Sequence, residues 1–186
     1  MKLLAFALLF IACTHIEEHH FPKNVAPHPL MRFEDSTVLE LFEKSQLVWR
    51  LKTLYLERWE SADRVFARPV FAEIYDTTGA KIALLTADSG SLDTRLTFIN
   101  AYGHVHAVSS NGAAVRADSL TWDKRSNKIQ TASPVRVVSE EGDVLTGKGF
   151  LSDARLDNWQ IISDVKAILQ DAQDRMRTVE EDSLNR

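Results

Sequence analysis

Apolar and polar residues alternate along much of the chain, with the two-residue period of β-strands. Near the middle, Val105 and Ala107 alternate with His104 and His106. Successive side chains of a strand point to opposite faces, so one face of this strand is apolar and the other is polar. Earlier in the chain, residues 37–42 and 47–51 predict two further strands around a turn at residues 43–46.

The same pattern recurs at a fixed spacing of 30 residues. The stretches 86–112, 116–142 and 146–172 align without gaps, and a looser fourth copy occupies residues 51–79. A fixed period of this length indicates one supersecondary unit stacked on its neighbours. The aligned columns include Val105 with Val135 and Val165, Ala107 with Val137 and Ala167, and His106 with Arg136 and Lys166.

Polar clusters that end in or near glycine separate the apolar segments, at residues 76–79, 109–112 and 140–143. Such clusters are typical of hairpin turns. Each copy is therefore predicted to form two or three antiparallel strands. Stacked copies produce a continuous apolar wall, and the remaining strands supply a facing wall. The predicted fold is all-β, a sandwich or folded-over antiparallel sheet built from repeated strand units.

The amino terminus has the layout of a secretory signal peptide, with Lys2 followed by an apolar run too short to span a membrane. Ile11, Ala12 and Cys13 resemble a bacterial lipobox, although Phe10 stands where leucine is usual. We expect a signal peptide at residues 1–12 and lipidation of Cys13; the alternative is a plain signal peptide with an incidental cysteine. Residues 13–36 have no apolar period and predict a flexible linker that spans ~25 Å.

Composition limits the remaining possibilities. The chain has 186 residues, of which 45% are hydrophobic and 26% charged, so it is long enough for one domain with a core. The formal net charge of -4 argues against nucleic acid as a partner. A single cysteine excludes an internal disulfide. The charged residues 170–186 predict a solvated C-terminal tail.

No sequence feature specifies catalysis or a metal centre. The chain has no nucleophile elbow, phosphate loop or metalloprotease helix motif. His104 and His106 share a strand face, but the aligned residues of the other copies indicate an outer polar face. Asp88-Ser89 recurs as Asp118-Ser119, which indicates turn chemistry rather than a triad. The linker cluster His15, Glu17, Glu18, His19 and His20 has no fold to fix ligands. We therefore expect no enzyme activity, cofactor or metal.

Several segments together resemble the OstA-like β-jellyroll domains of lipopolysaccharide export, most closely the periplasmic LptC family. The resemblance covers residues 37–169. Many members of that family keep an uncleaved transmembrane helix, whereas this sequence predicts a lipid anchor at Cys13. The segments that carry it are Trp49-Arg50-Leu51-Lys52-Thr53, residues 70–79, Ala87-Asp88-Ser89-Gly90, residues 117–123, Pro134-Val135-Arg136-Val137 and residues 145–149.

The resemblance implies a non-enzymatic carrier, held at a membrane in the periplasm. Such a carrier takes lipopolysaccharide from an inner-membrane ABC transporter and passes it to another β-jellyroll protein, with the lipid A acyl chains in an apolar trough. The alternative is a structural or adhesive envelope lipoprotein with a solid β-repeat core. The predicted trough lining is Trp49, Leu51, Val70, Ala72, Leu96, Phe98, Val105, Ala107, Val115, Leu120, Trp122, Val135, Val137, Phe150, Val165 and Ala167.

Overall fold

A computed structural model describes residues 28–59 and 63–170, and this part of the chain contains strands and turns without a helix. All strand pairs are antiparallel, which confirms the predicted all-β fold. No described helix is long and apolar enough to cross a membrane. The strands are β1 (Met31–Phe33), β2 (Thr37–Glu43), β3 (Gln46–Thr53), β4 (Tyr55–Trp59), β5 (Arg64–Arg68), β6 (Val70–Tyr75), β7 (Lys81–Ala87), β8 (Ser89–Asp93), β9 (Phe98–Ser109), β10 (Ala114–Asp123), β11 (Lys128–Val138), β12 (Val144–Asp153) and β13 (Trp159–Ile168).

The thirteen strands form nine longer segments, because several short strands follow one another almost directly along the same line. We call each of these segments a path, and the paths form a simple antiparallel meander. Single residues separate β3 from β4, β5 from β6 and β7 from β8. β1 pairs with β4 while β2 pairs with β3, so these two also follow one path. Nine successive paths then run antiparallel, each beside the next. Each 30-residue copy contributes one hairpin of two long paths.

Almost every path bends near its middle. Asp88 separates β7 from β8, and a register shift lies at Asp118 in β10. Pro69 separates β5 from β6, and another shift lies just before Pro134 in β11. Extra residues bend a strand at such shifts, and proline cannot donate to the ladder. The repeated Asp-Ser and Pro-Val pairs therefore mark bends, and the prediction that Asp88 and Asp118 serve turn chemistry is wrong.

The bends divide the sheet into two half-sheets. The β3 half-sheet contains β2, β3, β6, β7 and residues 105–109, 114–117, 134–138, 144–147 and 165–168 of the long strands. The β4 half-sheet contains β1, β4, β5, β8 and the other ends of the long strands. Buried apolar side chains from both half-sheets form one cluster. The sheet is therefore folded over, with the core between its halves.

The predicted turns lie between the long paths. Residues 76–80, 109–113 and 139–143 each close with backbone hydrogen bonds, such as Asp76 N–H to the Ala80 carbonyl at 3.0 Å. Gly112 and Gly142 have φ angles of 97° and 88°, a region where a side chain is strained. The turn at residues 43–46 between β2 and β3 is also confirmed.

The sheet begins earlier than the sequence predicted. β1 lies inside the segment expected to be a linker, because Met31 and Phe33 have partners on β4. Three residues are too few for a visible two-residue period, so the pattern did not reveal this strand. The last strand ends at Ile168, next to the predicted boundary at residue 169. The signal peptide, Cys13, most of the linker and residues 171–186 lie outside the described residues.

Candidate functional site

An apolar cavity of about 100 Å³ lies between the two half-sheets. Trp49, Leu51, Ala72 and Leu85 line it from the β3 half-sheet, and residues of β5, β8, β9, β10 and β11 line it from the β4 half-sheet. These residues share the inner face because cross-strand partners lie on the same side of a sheet. For example, Leu51 pairs with Ala72, and Ala72 pairs with Leu85.

The cavity wall has few polar groups and no ionisable side chain. The two indoles are the polar side chains of its inner face, because Ser91 and Asn100 border the cavity from strand positions whose side chains face outward with Thr121. Trp122 donates its indole N–H to Asn127 Oδ1 at 3.2 Å. Trp49 is 5% exposed, and its buried indole N–H has no hydrogen-bond partner among the described residues. The wall is therefore suited to hydrocarbon.

The structure brings six of the predicted lining residues together around the cavity. These are Trp49, Leu51, Val70, Ala72, Leu120 and Trp122. Six others belong to the buried core cluster outside the cavity wall: Val105, Ala107, Val115, Val135, Val137 and Phe150. Leu96 lies in the β8–β9 connection and packs against the core. The remaining three, Phe98, Val165 and Ala167, are exposed.

The prediction that Phe98 faces the interior is wrong. Phe98 begins β9 opposite Asp123, two residues before Asn100 and on the face opposite Ile99. It is 37% exposed, and the Arg125 guanidinium lies 4.9 Å from its ring centre. The ring makes a cation–π contact on the outer surface. The sequence pattern alone does not distinguish an aromatic residue in such a contact from one on the inner face.

Val165 and Ala167 have the predicted face but not the predicted burial. Ala167 pairs with Leu145, which pairs with the buried Val137, so all three share the inner face. Val165 is nevertheless 52% exposed. β13 is the last strand of the sheet and pairs with β12 alone among the described strands. The apolar wall is therefore open at this edge.

The opposite edge also exposes apolar side chains. Phe33 on β1, the partner of the buried Leu56, is 44% exposed, and Val38 on β2 is 54% exposed on the outer face with Lys52. Each of these strands has one described neighbour, so its outer backbone groups can pair with another strand. At both edges of the folded sheet, the outer backbone groups of a strand are therefore unpaired within the described part of the chain and lie beside apolar side chains.

The sequence interpretation missed several cavity residues. Val65, Ile74, Leu85, Leu92, Ile99 and Ile129 all line the cavity but were absent from the predicted lining. Most belong to strands that precede or begin a copy, where the 30-residue columns are weakest. Two-residue alternation within each strand was the signal that could have found them; Leu92 and Ile99, for instance, are directly paired.

The histidine pair lies on the outer surface at the bend. His104 Nδ1 lies 2.7 Å from Asp88 Oδ2, and this hydrogen bond raises the pKa of His104. Burial, and then the charge of Arg116, lower the pKa of His106. No cluster of three histidine, cysteine, aspartate or glutamate side chains suited to a metal is found within residues 28–59 and 63–170.

Comparison with known proteins places the fold. No protein-family model matches the sequence. A search of curated proteins also finds no match. Among solved structures, the chain is similar to LptH from Pseudomonas aeruginosa, described as the LptA-homologous periplasmic component of the lipopolysaccharide transport device. The TM-score is 0.53 at 12% sequence identity, over 66% of this chain and 94% of LptH. The folded-over antiparallel sheet of this protein is therefore a β-jellyroll of the kind found in LptH.

Proposed function

We propose that the protein is a non-enzymatic carrier in lipopolysaccharide export that holds lipid A acyl chains between its two half-sheets. The observation that carries this proposal is the apolar cavity between half-sheets whose wall continues to an open edge. Exposed CH₂ groups cost roughly 0.8 kcal/mol each in water, so acyl chains need such shielding to cross the periplasm. The shared fold with a periplasmic transport component supports the same role.

The cavity must widen to hold a whole chain. A methylene group has about the volume of a water molecule, ~30 Å³, so a cavity of about 100 Å³ accepts roughly three of them. A long acyl chain therefore enters only when the half-sheets separate at their bends.

The open edges supply a route for transfer. Nine paths at ~4.8 Å spacing make an interior about 38 Å long. A second β-jellyroll that adds its edge strand to β13 extends this interior beyond Val165 without exposing a chain to water. We propose relay from an inner-membrane ABC transporter to a periplasmic bridge protein in this way. Lipidation of Cys13 anchors the carrier to a membrane, in our proposal the inner one.

Lipid content tests the carrier proposal. The full chain is expressed in a lipopolysaccharide-producing bacterium, purified from the envelope and analysed for lipid A by mass spectrometry. We expect bound lipid A, and crosslinking from position 165 to another β-jellyroll protein. Absence of both would exclude transport. The alternative function, a structural or adhesive envelope lipoprotein with a solid core, would then remain. The small volume of the cavity favours that alternative.

A further inference from the structure

A second site lies on the outer, polar face of the β3 half-sheet. A shallow, open groove crosses strands β9 to β13 beside their bends. It lies on the opposite face of the sheet from the apolar cavity. Its basic side chains are His104, His106, Arg116, Arg136, Lys148 and Lys166.

Five groove residues form one row across five strands, which we call the outer row. His106 pairs with Arg116, Arg116 with Arg136, Arg136 with Thr146, and Thr146 with Lys166. Four strand spacings of ~4.8 Å give the row a length of about 19 Å. The polar column of the 30-residue repeat, His106 with Arg136 and Lys166, thus supplies alternate members of one continuous row.

The outer row concentrates positive charge in a protein whose net charge is -4. No described carboxylate lies within 4.0 Å of the charged nitrogens of Arg116, Arg136, Lys148 or Lys166. Arg50, by contrast, contacts two glutamates on the same half-sheet. Four permanent cations line the groove against two carboxylates.

The arrangement is unfavourable unless an anion binds. Arg116 lies directly opposite Arg136 on the neighbouring strand, and like charges in that position destabilise a sheet. The charge of Arg116 also contributes, after burial, to the lowered pKa of His106. An anion between the two guanidinium groups removes the repulsion and accepts hydrogen bonds from both.

We propose that this groove binds a phosphorylated saccharide. The two arginines hold a phosphate group, since their planar donor forks match its oxygens. Asp118 and Asp164 also line the groove, where they accept hydrogen bonds from sugar hydroxyls. The outer row is about 19 Å long, far longer than one phosphate, which leaves room for sugar rings. This site goes beyond the proposed carrier function, because it needs no acyl chain.

Calorimetry with the full chain and glucose 1,6-bisphosphate tests the site. The variant Arg116→Gln/Arg136→Gln should bind at least tenfold more weakly, because each lost charge-assisted contact changes affinity by roughly tenfold or more. Its melting temperature should not fall, since a repulsive pair is removed. The control Arg95→Gln/Lys128→Gln makes the same charge change at exposed positions outside the groove and should bind as the parent does.

A second arm distinguishes the source of the phosphate. Vesicles of phosphatidylcholine with phosphatidylglycerol present lipid phosphate without sugar phosphate. Sugar binding that depends on the two arginines supports the proposal, and a second variant, Lys148→Gln/Lys166→Gln, should weaken it independently. Three results would overturn the proposal. They are an equal loss of sugar binding in the control variant, binding of the parent protein to vesicles but not to the sugar, and no binding of the sugar by the parent protein. Glucose 1,6-bisphosphate has no acyl chain that could enter the apolar cavity, so the calorimetric result is independent of the lipid A experiment.

Discussion

Filling the apolar cavity should stabilise the protein and weaken its binding of lipid. Ala72 lines the cavity on the inner face of β6, between Leu51 and Leu85. Ala72→Leu adds three carbon groups, or roughly 90 Å³ at ~30 Å³ each, against a cavity of about 100 Å³. The substitution therefore occupies most of the space that an acyl chain would enter first.

The energies follow from the same numbers. Burial of three carbon groups at ~0.8 kcal/mol each contributes up to about 2.4 kcal/mol. Imperfect fit subtracts part of this, since added groups in a packed core force neighbours to move. We expect Ala72→Leu to raise the free energy of unfolding by about 0–2 kcal/mol, which corresponds to a rise of up to about 8 °C in melting temperature.

Two assays check this prediction. Thermal unfolding measures the stability, and displacement of a fluorescent acyl probe measures the affinity for lipid A, which should fall at least tenfold. The control is Ala114→Leu, on the outer face of the same half-sheet between Val108 and Val138. It should leave the affinity unchanged. The reasoning is refuted if Ala72→Leu stabilises the protein while lipid A binds as before, or if the control weakens binding equally.

Further predictions concern the core, the bend and the histidines. Phe150 is 2% exposed, and Phe150→Ala should lower the free energy of unfolding, measured in urea, by about 3–5 kcal/mol. A loss below about 1 kcal/mol would contradict the placement of Phe150 in the core. Gly103→Ala should destabilise by more than about 1 kcal/mol, because φ is 74° and a Cβ would collide with the Asp88 carboxylate; an unchanged urea midpoint would argue against this bend. NMR titration should place the pKa of His104 above that of His106, and the reverse order would exclude the hydrogen bond to Asp88. Because the His104 pKa is raised on folding, its stabilisation is complete below pH 6.5 and is lost as pH rises through the raised pKa, which His104→Ala measured at acid and alkaline pH should show.

The sequence predicted the strand class, the hairpin turns and much of the inner face, because these depend on local alternation and turn residues. Val105 and Val135 are buried as their column implies. Val165 belongs to the same column but is exposed, since burial at an edge depends on a neighbouring strand rather than on the residue itself.

Other features arise only when the strands are assembled. Asp118 and Pro134 lie at bends, and nothing in their local sequence distinguishes a bend within a strand from a turn between strands. The cavity depends on how closely the two half-sheets approach, which periodicity does not determine. Likewise, the outer row emerges only when Arg116 and Thr146 from β10 and β12 fill the spaces between members of the repeat column.

Photocrosslinking within the bacterial envelope tests the carrier proposal most directly. A photoreactive amino acid is placed at Leu120, which lines the cavity, or at Thr121, the next residue of β10, which is directed to the outer face and donates to Asn100 Oδ1 at 2.8 Å. The two positions are neighbours in one strand but face opposite sides of the sheet, so the comparison separates the interior from the outer surface. The proposal predicts a lipopolysaccharide adduct from position 120 and none from position 121. No adduct from position 120, or equal adducts from both positions, would contradict it.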